Sequence, residues 1–240
     1  ISAFDPDVWS MPKQLSSLQY ANGIDWHKDK IVFHNIAGPS SLTVLYENGS
    51  KISFSSPGAW PSFSPDGKKI VVSTSDCFSA PCSGGIWIMN DNGSDQQPIF
   101  STNAGGIRGT RWSPRGDKIL YVLETLKQNP APKEYPWIYN LFTINTDGTG
   151  NSPITDDGIS WQADWSPDAE KIVHAKLSTK NYPNSTSSEI WISFRSNASR
   201  KKIADIGLHS FIKWSKQNEI AYIDEFDDGL YTINENGGNR

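Results

Sequence analysis

One pattern recurs five times along the chain, and it restricts the fold more than any other feature. An aromatic residue stands before a short polar turn and a β-branched run follows: Trp26 in DWHKDKIVF, Phe63 in FSPDGKKIVV, Trp112 in WSPRGDKILY, Trp165 in WSPDAEKIVH and Trp214 in WSKQNEIAY. These aromatics are 37, 49, 53 and 49 residues apart. A second set of segments keeps the same register: SLTVLYENG at 41–49, GIWIMNDNG at 85–93, NLFTINTDG at 140–148, EIWISFRSN at 189–197 and GLYTINENG at 229–237. Self-similarity at this period marks an array of small structural units rather than one irregular domain.

The stretch from Trp60 to Phe100 shows what the unit is. An aromatic segment ends in Ser64-Pro65-Asp66-Gly67, where proline fixes φ and glycine accepts a positive φ, the chemistry of a tight turn. Ile70-Val71-Val72 follows, then Ile86-Trp87-Ile88-Met89, the turn Asn90-Asp91-Asn92-Gly93, and Pro98-Ile99-Phe100. Four strands joined by turns make one antiparallel blade. The expected fold is all-β: a β-propeller of four-stranded antiparallel blades forming a single domain over 1–240, with an outer half-blade at 1–23 and blades at 24–59, 60–106, 107–160, 161–207 and 208–240.

Aromatic-S-P-D-G-K-K-I followed by I-W-I-M-N-D-N-G-S and a short strand resembles the TolB-type β-propeller repeat. The resemblance runs from about Val8 to the end. It departs from the pattern at the first turn, His27-Lys28-Asp29, and at the fifth, Lys216-Gln217-Asn218. What it implies is the fold, and for function a choice among periplasmic scaffolds, gating domains of serine peptidases and parts of surface proteins.

Blade closure can go two ways. Asp7-Val8-Trp9-Ser10-Met11 matches the third-strand pattern, so the chain opens with the outer half of a blade, whereas the fifth repeat ends at Asn236-Gly237-Gly238 without its outer strand. Counting strands favours a six-bladed type that is incomplete at the carboxyl end. The alternative is five-bladed closure, with the amino-terminal segment supplying the missing strand.

Charged residues make up 20% of the chain and the net charge is −4, which gives no electrostatic footprint for nucleic acid. No segment approaches the roughly 18 apolar residues of a membrane span, so membrane insertion is not expected. Cys77 and Cys82, the only cysteines, flank a proline-containing loop whose length allows a disulfide. With the abundance of serine and asparagine, they point to a secreted or periplasmic setting.

Candidate site residues fall into two groups. The connections after the second strands are long and irregular: 75–85, 124–140 and 177–188 project from one face and carry Phe78, Tyr135, Trp137, Tyr139 and Tyr182. Proline-stiffened aromatic loops on a rigid scaffold suit a protein or glycan partner. The competing reading folds these rings down as a satellite core. The second group precedes the recurring aromatics near the channel: Asp25, Ser62, Arg111, Asp164 and Lys213. Arg111 with Asp164, and Asp164 with Lys213, are candidate inter-blade ion pairs, and a polar ligand in the channel is the alternative.

Catalysis finds little support. His27, His34, His174 and His209 share no metal-ligand spacing, and neither G-x-S-x-G nor H-E-x-x-H occurs, so no cofactor is expected. A metal-assisted polysaccharide-active enzyme using His34 and His209 stands as the different-class alternative. The main expectation is a non-catalytic binding scaffold, or the propeller of a larger peptidase-like or surface protein.

Overall fold

The computed structural model describes residues 21–35, 40–77, 82–127, 136–178, 187–195, 199–207, 211–224 and 229–238. Five antiparallel sheets follow one another along the chain, each in simple up-and-down order. The first holds Ala21–His27 (β1), Lys30–Asn35 (β2), Ser41–Tyr46 (β3) and Lys51–Ser55 (β4). The second holds Ala59–Phe63 (β5), Lys69–Asp76 (β6), Ser83–Asn90 (β7) and Gln97–Thr102 (β8). The third holds Gly106–Trp112 (β9), Lys118–Leu126 (β10), Trp137–Asn145 (β11) and Ser152–Pro153 (β12). The fourth holds Ser160–Trp165 (β13), Lys171–Leu177 (β14), Ser187–Phe194 (β15) and Arg200–Gly207 (β16). The fifth has Ile212–Trp214 (β17), Glu219–Asp224 (β18) and Gly229–Asn234 (β19), three strands among the described residues.

The inner strands touch in order, β1 to β5, β5 to β9, β9 to β13 and β13 to β17, so the sheets ring a common axis. Lys216, in the first turn of the fifth sheet, is near enough to His27 of the first to help lower its pKa, after burial, Lys28 and Lys30. This is the five-bladed arrangement that the sequence left as the alternative to six.

Four apolar cores hold adjacent sheets together. Val32, Leu42 and Val44 meet Phe63, Ile70 and Met89, and Val71, Ile86 and Ile88 meet Ile107, Ile119 and Tyr121. Leu120, Val122 and Leu141 meet Trp165 and Ile172, and Val173, Ile190 and Ile192 meet Trp214, Ile220 and Tyr222. The second strands of the second, third and fourth sheets thus send alternate side chains to the sheet before and the sheet after, which is why they read as near-continuous apolar runs. Phe63, Trp112, Trp165 and Trp214 each pack on the preceding sheet, whereas Trp26 is exposed.

Innermost strands carry bulges at Asn22/Ile24, Ala59/Ser62 and Ser160/Gln162, and β9 carries one opposite Leu120/Val122. Gly23 and Gly109 take the left-handed conformation there at φ 61°, and Trp60 takes it at φ 51°. A bulge adds twist where the strands crowd the axis. A tryptophan at positive φ is a strained choice and is tolerated only where its surroundings hold it.

The rim of short turns carries a repeated clip. At two seams the residue that opens the second strand reaches the first turn residue after the third strand of the next sheet. Lys30 Nζ lies 2.5 Å from Asp91 Oδ2, and Lys171 Nζ 2.5 Å from Glu235 Oε2. Between the third and fourth sheets the polarity is reversed, with Arg195 Nη2 at 3.3 Å from Asp117 Oδ2.

Candidate functional site

The channel-side residues are used within the ring. The Asp25 carboxylate accepts the Phe63 backbone N–H of the next sheet at 2.7 Å, the Ser62 hydroxyl accepts Trp112 N–H at 3.3 Å, and Asp164 accepts Trp214 N–H at 3.0 Å. Repeat position and ring order together produce this clasp: the residue before one aromatic holds the backbone of the next. Lys213 Nζ stands 3.6 Å from Asp164 Oδ2, which forms the second ion pair suggested by the sequence. Arg111 breaks the series. Its Nη1 donates to the Thr110 carbonyl, its own carbonyl accepts the Trp165 indole N–H at 3.3 Å, and it has no ion pair among the described residues.

On the opposite rim stand the long connections. Cys77 and Cys82 form a disulfide, with Cα atoms 4.5 Å apart. Cys77 Sγ sits 3.8 Å from the Glu124 carbonyl oxygen, so the second-sheet loop and the base of the third-sheet loop share one rim. The bases of the other two loops are pinned by backbone bonds, Lys127 N–H to the Pro136 carbonyl at 2.7 Å and Ser178 N–H to the Ser187 carbonyl at 3.0 Å. Phe78, Tyr135 and Tyr182, and with them His209, lie outside the described residues.

Trp137 is half-buried at the rim end of β11, opposite Leu126. Tyr139, two residues further in, packs against the core between the third and fourth sheets, and its N–H donates to the Gly158 carbonyl at 3.0 Å. The two aromatics therefore differ in kind: Tyr139 belongs to a seam, while Trp137 stands at the loop's exit.

A cluster that the sequence reading passed over lies beside them. Glu124 is almost fully buried, and its Oε2 takes Arg108 Nε at 2.5 Å and the Ser75 hydroxyl at 3.3 Å. The Arg108 guanidinium lies 5.3 Å from the ring centre of the strained Trp60, a cation–π contact, while nearly half its side chain stays exposed. The signal was present in KILYVLETL: a carboxylate at a buried strand position requires a partner. Gly106 permits the approach, since a Cβ there would lie 2.1 Å from Ser75 Oγ.

The histidines are dispersed. His34 Nε2 is 3.1 Å from Ser40 Oγ, and burial lowers its pKa. His174 is fully buried beside Ser193, Nε2 to Oγ 3.0 Å, and desolvation pushes its pKa down to about 3. Among the described residues no three His, Cys, Asp or Glu side chains converge as a metal would require. Nor do they include a helix long and apolar enough to cross a membrane.

No family model matches the chain, and no curated protein sequence matches it. Its fold is shared with many solved structures. TolB from Acinetobacter baumannii is 16% identical at a TM-score of 0.67, over 91% of this chain and 52% of that one. An acylaminoacyl peptidase from Pyrococcus horikoshii is 14% identical at 0.65, over 91% and 38%. An oligogalacturonate lyase in complex with manganese is 12% identical at 0.63, over 88% and 61%. The chain spans between about a third and two thirds of these neighbours, and at such identities the likeness is one of fold.

Proposed function

We propose that the protein is a non-catalytic, TolB-like binding scaffold of a secreted or periplasmic compartment, and that it engages a protein or glycan partner through the long-loop rim. The observation that supports this most is the arrangement of that rim. In three successive sheets a long connection follows the second strand, and the described bases of all three lie on one side of the ring. One is closed by a disulfide and two are pinned at their bases, whereas the described turns of the other side are tight. Recognition loops held by a stiff frame lose little entropy on binding. The disulfide is also compatible with an oxidising compartment.

A second reading rests on the comparisons. The chain matches only 38% of the acylaminoacyl peptidase, so a propeller that guards or positions another domain of a larger protein is the alternative.

Capture from the secreted or envelope fraction of the source tests the main reading. Trp137→Ala should abolish capture of protein or glycan and leave Tm within about 2 °C of the parent, as for a surface substitution. Tyr139→Ala should cost stability instead. A Trp137→Ala variant that unfolds early, or that captures as well as the parent, overturns the reading.

A further inference from the structure

Between the second and third sheets no such clip is made on the turn rim among the described residues, and an open cleft lies there. Lys69 occupies the repeat position of Lys30 and Lys171, since each directly precedes the strand residue paired with the recurring aromatic. Its counterpart across the seam, at the position of Asp91 and Glu235, is Thr146. A threonine hydroxyl supplies no counter-charge, and Lys69 Nζ has no hydrogen-bond or ion-pair partner among the described residues. Lys69 is exposed, whereas the Lys30 side chain, held by Asp91 and by the Gly67 carbonyl, is only 13% exposed.

Lys69 and Thr146 both line a cleft of about 550 Å³ between the second and third sheets, floored by Pro65, Ile99 and Trp112. The other charges around it are already engaged. Asp66 accepts the Ser64 hydroxyl at 2.6 Å and Lys68 N–H at 3.1 Å, Asp95 accepts the Gln97 side-chain amide at 3.3 Å, and Arg115 pairs with Glu170. Lys69 is therefore the one cation of the cleft without a counter-ion among the described residues.

We propose that this cleft is a docking site for an acidic peptide segment. A side-chain carboxylate of the partner takes the place that Asp91 and Glu235 fill at the neighbouring seams, and the apolar residue beside it lies on the Pro65, Ile99 and Trp112 floor. The ring itself shows the chemistry: at two seams, lysine in this position already receives a carboxylate carried on a polypeptide turn. The site lies on the rim opposite the long loops, so it is separate from the surface assigned above.

The test is an NMR titration of the whole chain with acetyl-Leu-Asp-Leu-amide and with its Asn counterpart. The Asp peptide should shift the Trp112 indole and Thr146 resonances and bind about tenfold more tightly than the Asn peptide, the difference of one charge-assisted hydrogen bond. Thr146→Asp should install the missing clip, abolish peptide binding and raise Tm by about 2 °C. That gain should vanish when Lys69→Met is added. The proposal is overturned if neither peptide binds, if the two bind alike, if Lys69→Met leaves binding intact, or if Thr146→Asp neither stabilises the fold nor blocks the peptide.

Discussion

The seam between the fourth and fifth sheets and the seam between the fifth and first present the same repeat residue in opposite surroundings. Trp214 is 7% exposed, packed on Ile190, Ile192 and the rest of the fourth sheet, with its indole N–H donated to Asn218 Oδ1. Trp26 is 69% exposed, and among the described residues its indole N–H donates to its own turn at the Lys28 carbonyl. Ile24 is exposed beside it, and on the far face of the fifth sheet so are Phe211, Ile223 and Leu230. No apolar cluster joins those two faces among the described residues. A repeat therefore does not fix direction and burial together. The local sequence dictates which way the aromatic points, but the sheet in front of it decides how much stability that direction yields.

Substitutions at the two seams should therefore diverge. Trp214→Ala should cost about 3–5 kcal/mol in chemical denaturation, the usual range for removing a buried tryptophan. A loss below about 1 kcal/mol would mean that the fourth and fifth sheets are not held by this core.

Acid should act on the packed side next. His174 is neutral in the folded ring with a pKa near 3, whereas in the unfolded chain it takes up a proton near its ordinary value of 6.5. Between those values the unfolded state binds more protons, so stability is complete above pH 6.5 and declines as the pH falls towards 3. By pH 4.5 the decline from this group should reach about 2–3 kcal/mol. His174→Phe, which places there the residue found at the matching position Phe33, should flatten the profile over that range. An unchanged slope would show that His174 is accessible to protons in the native ring.

Asp164→Ala removes the acceptor of the Trp214 N–H and should cost about 1–3 kcal/mol through an unsatisfied buried donor. Trp26→Ala should move stability by no more than about 0.5 kcal/mol. A cost at Trp26 similar to that at Trp214 would erase the contrast between the seams.

Much of the fold could be read from the chain because its signals are local. The β-branched runs after each turn became β2, β6, β10, β14 and β18, and the fifth repeat has the three strands expected of it. Turns such as Asn90-Asp91-Asn92-Gly93 carry their own chemistry: Gly93 takes φ 84°, and Asn92 Oδ1 holds Ser94 N–H at 3.0 Å. The pairing of Lys213 with Asp164 also followed, because adjacent repeats place the two next to each other.

What escaped depends on geometry between repeats. Arg108 meets Glu124 only because a bulge shifts β9 against β10, and no spacing rule encodes that shift. The division between Trp137 and Tyr139 was equally hidden. Both looked like loop aromatics, yet two residues along β11 are enough to carry a ring from the rim into the seam between the third and fourth sheets. Lysines at position 30 and position 69 look identical in sequence, and only the order of sheets around the ring reveals that Lys30 meets Asp91 while Lys69 shares a cleft with Thr146.

Hydroxyl-radical footprinting of the native chain, read by mass spectrometry at each tryptophan, tests the contrast between seams most directly. Trp26 should oxidise at least about tenfold faster than Trp165 and Trp214, in keeping with its exposure. Equal protection of all three would contradict the account, because it would mean that the fifth seam is packed like the others.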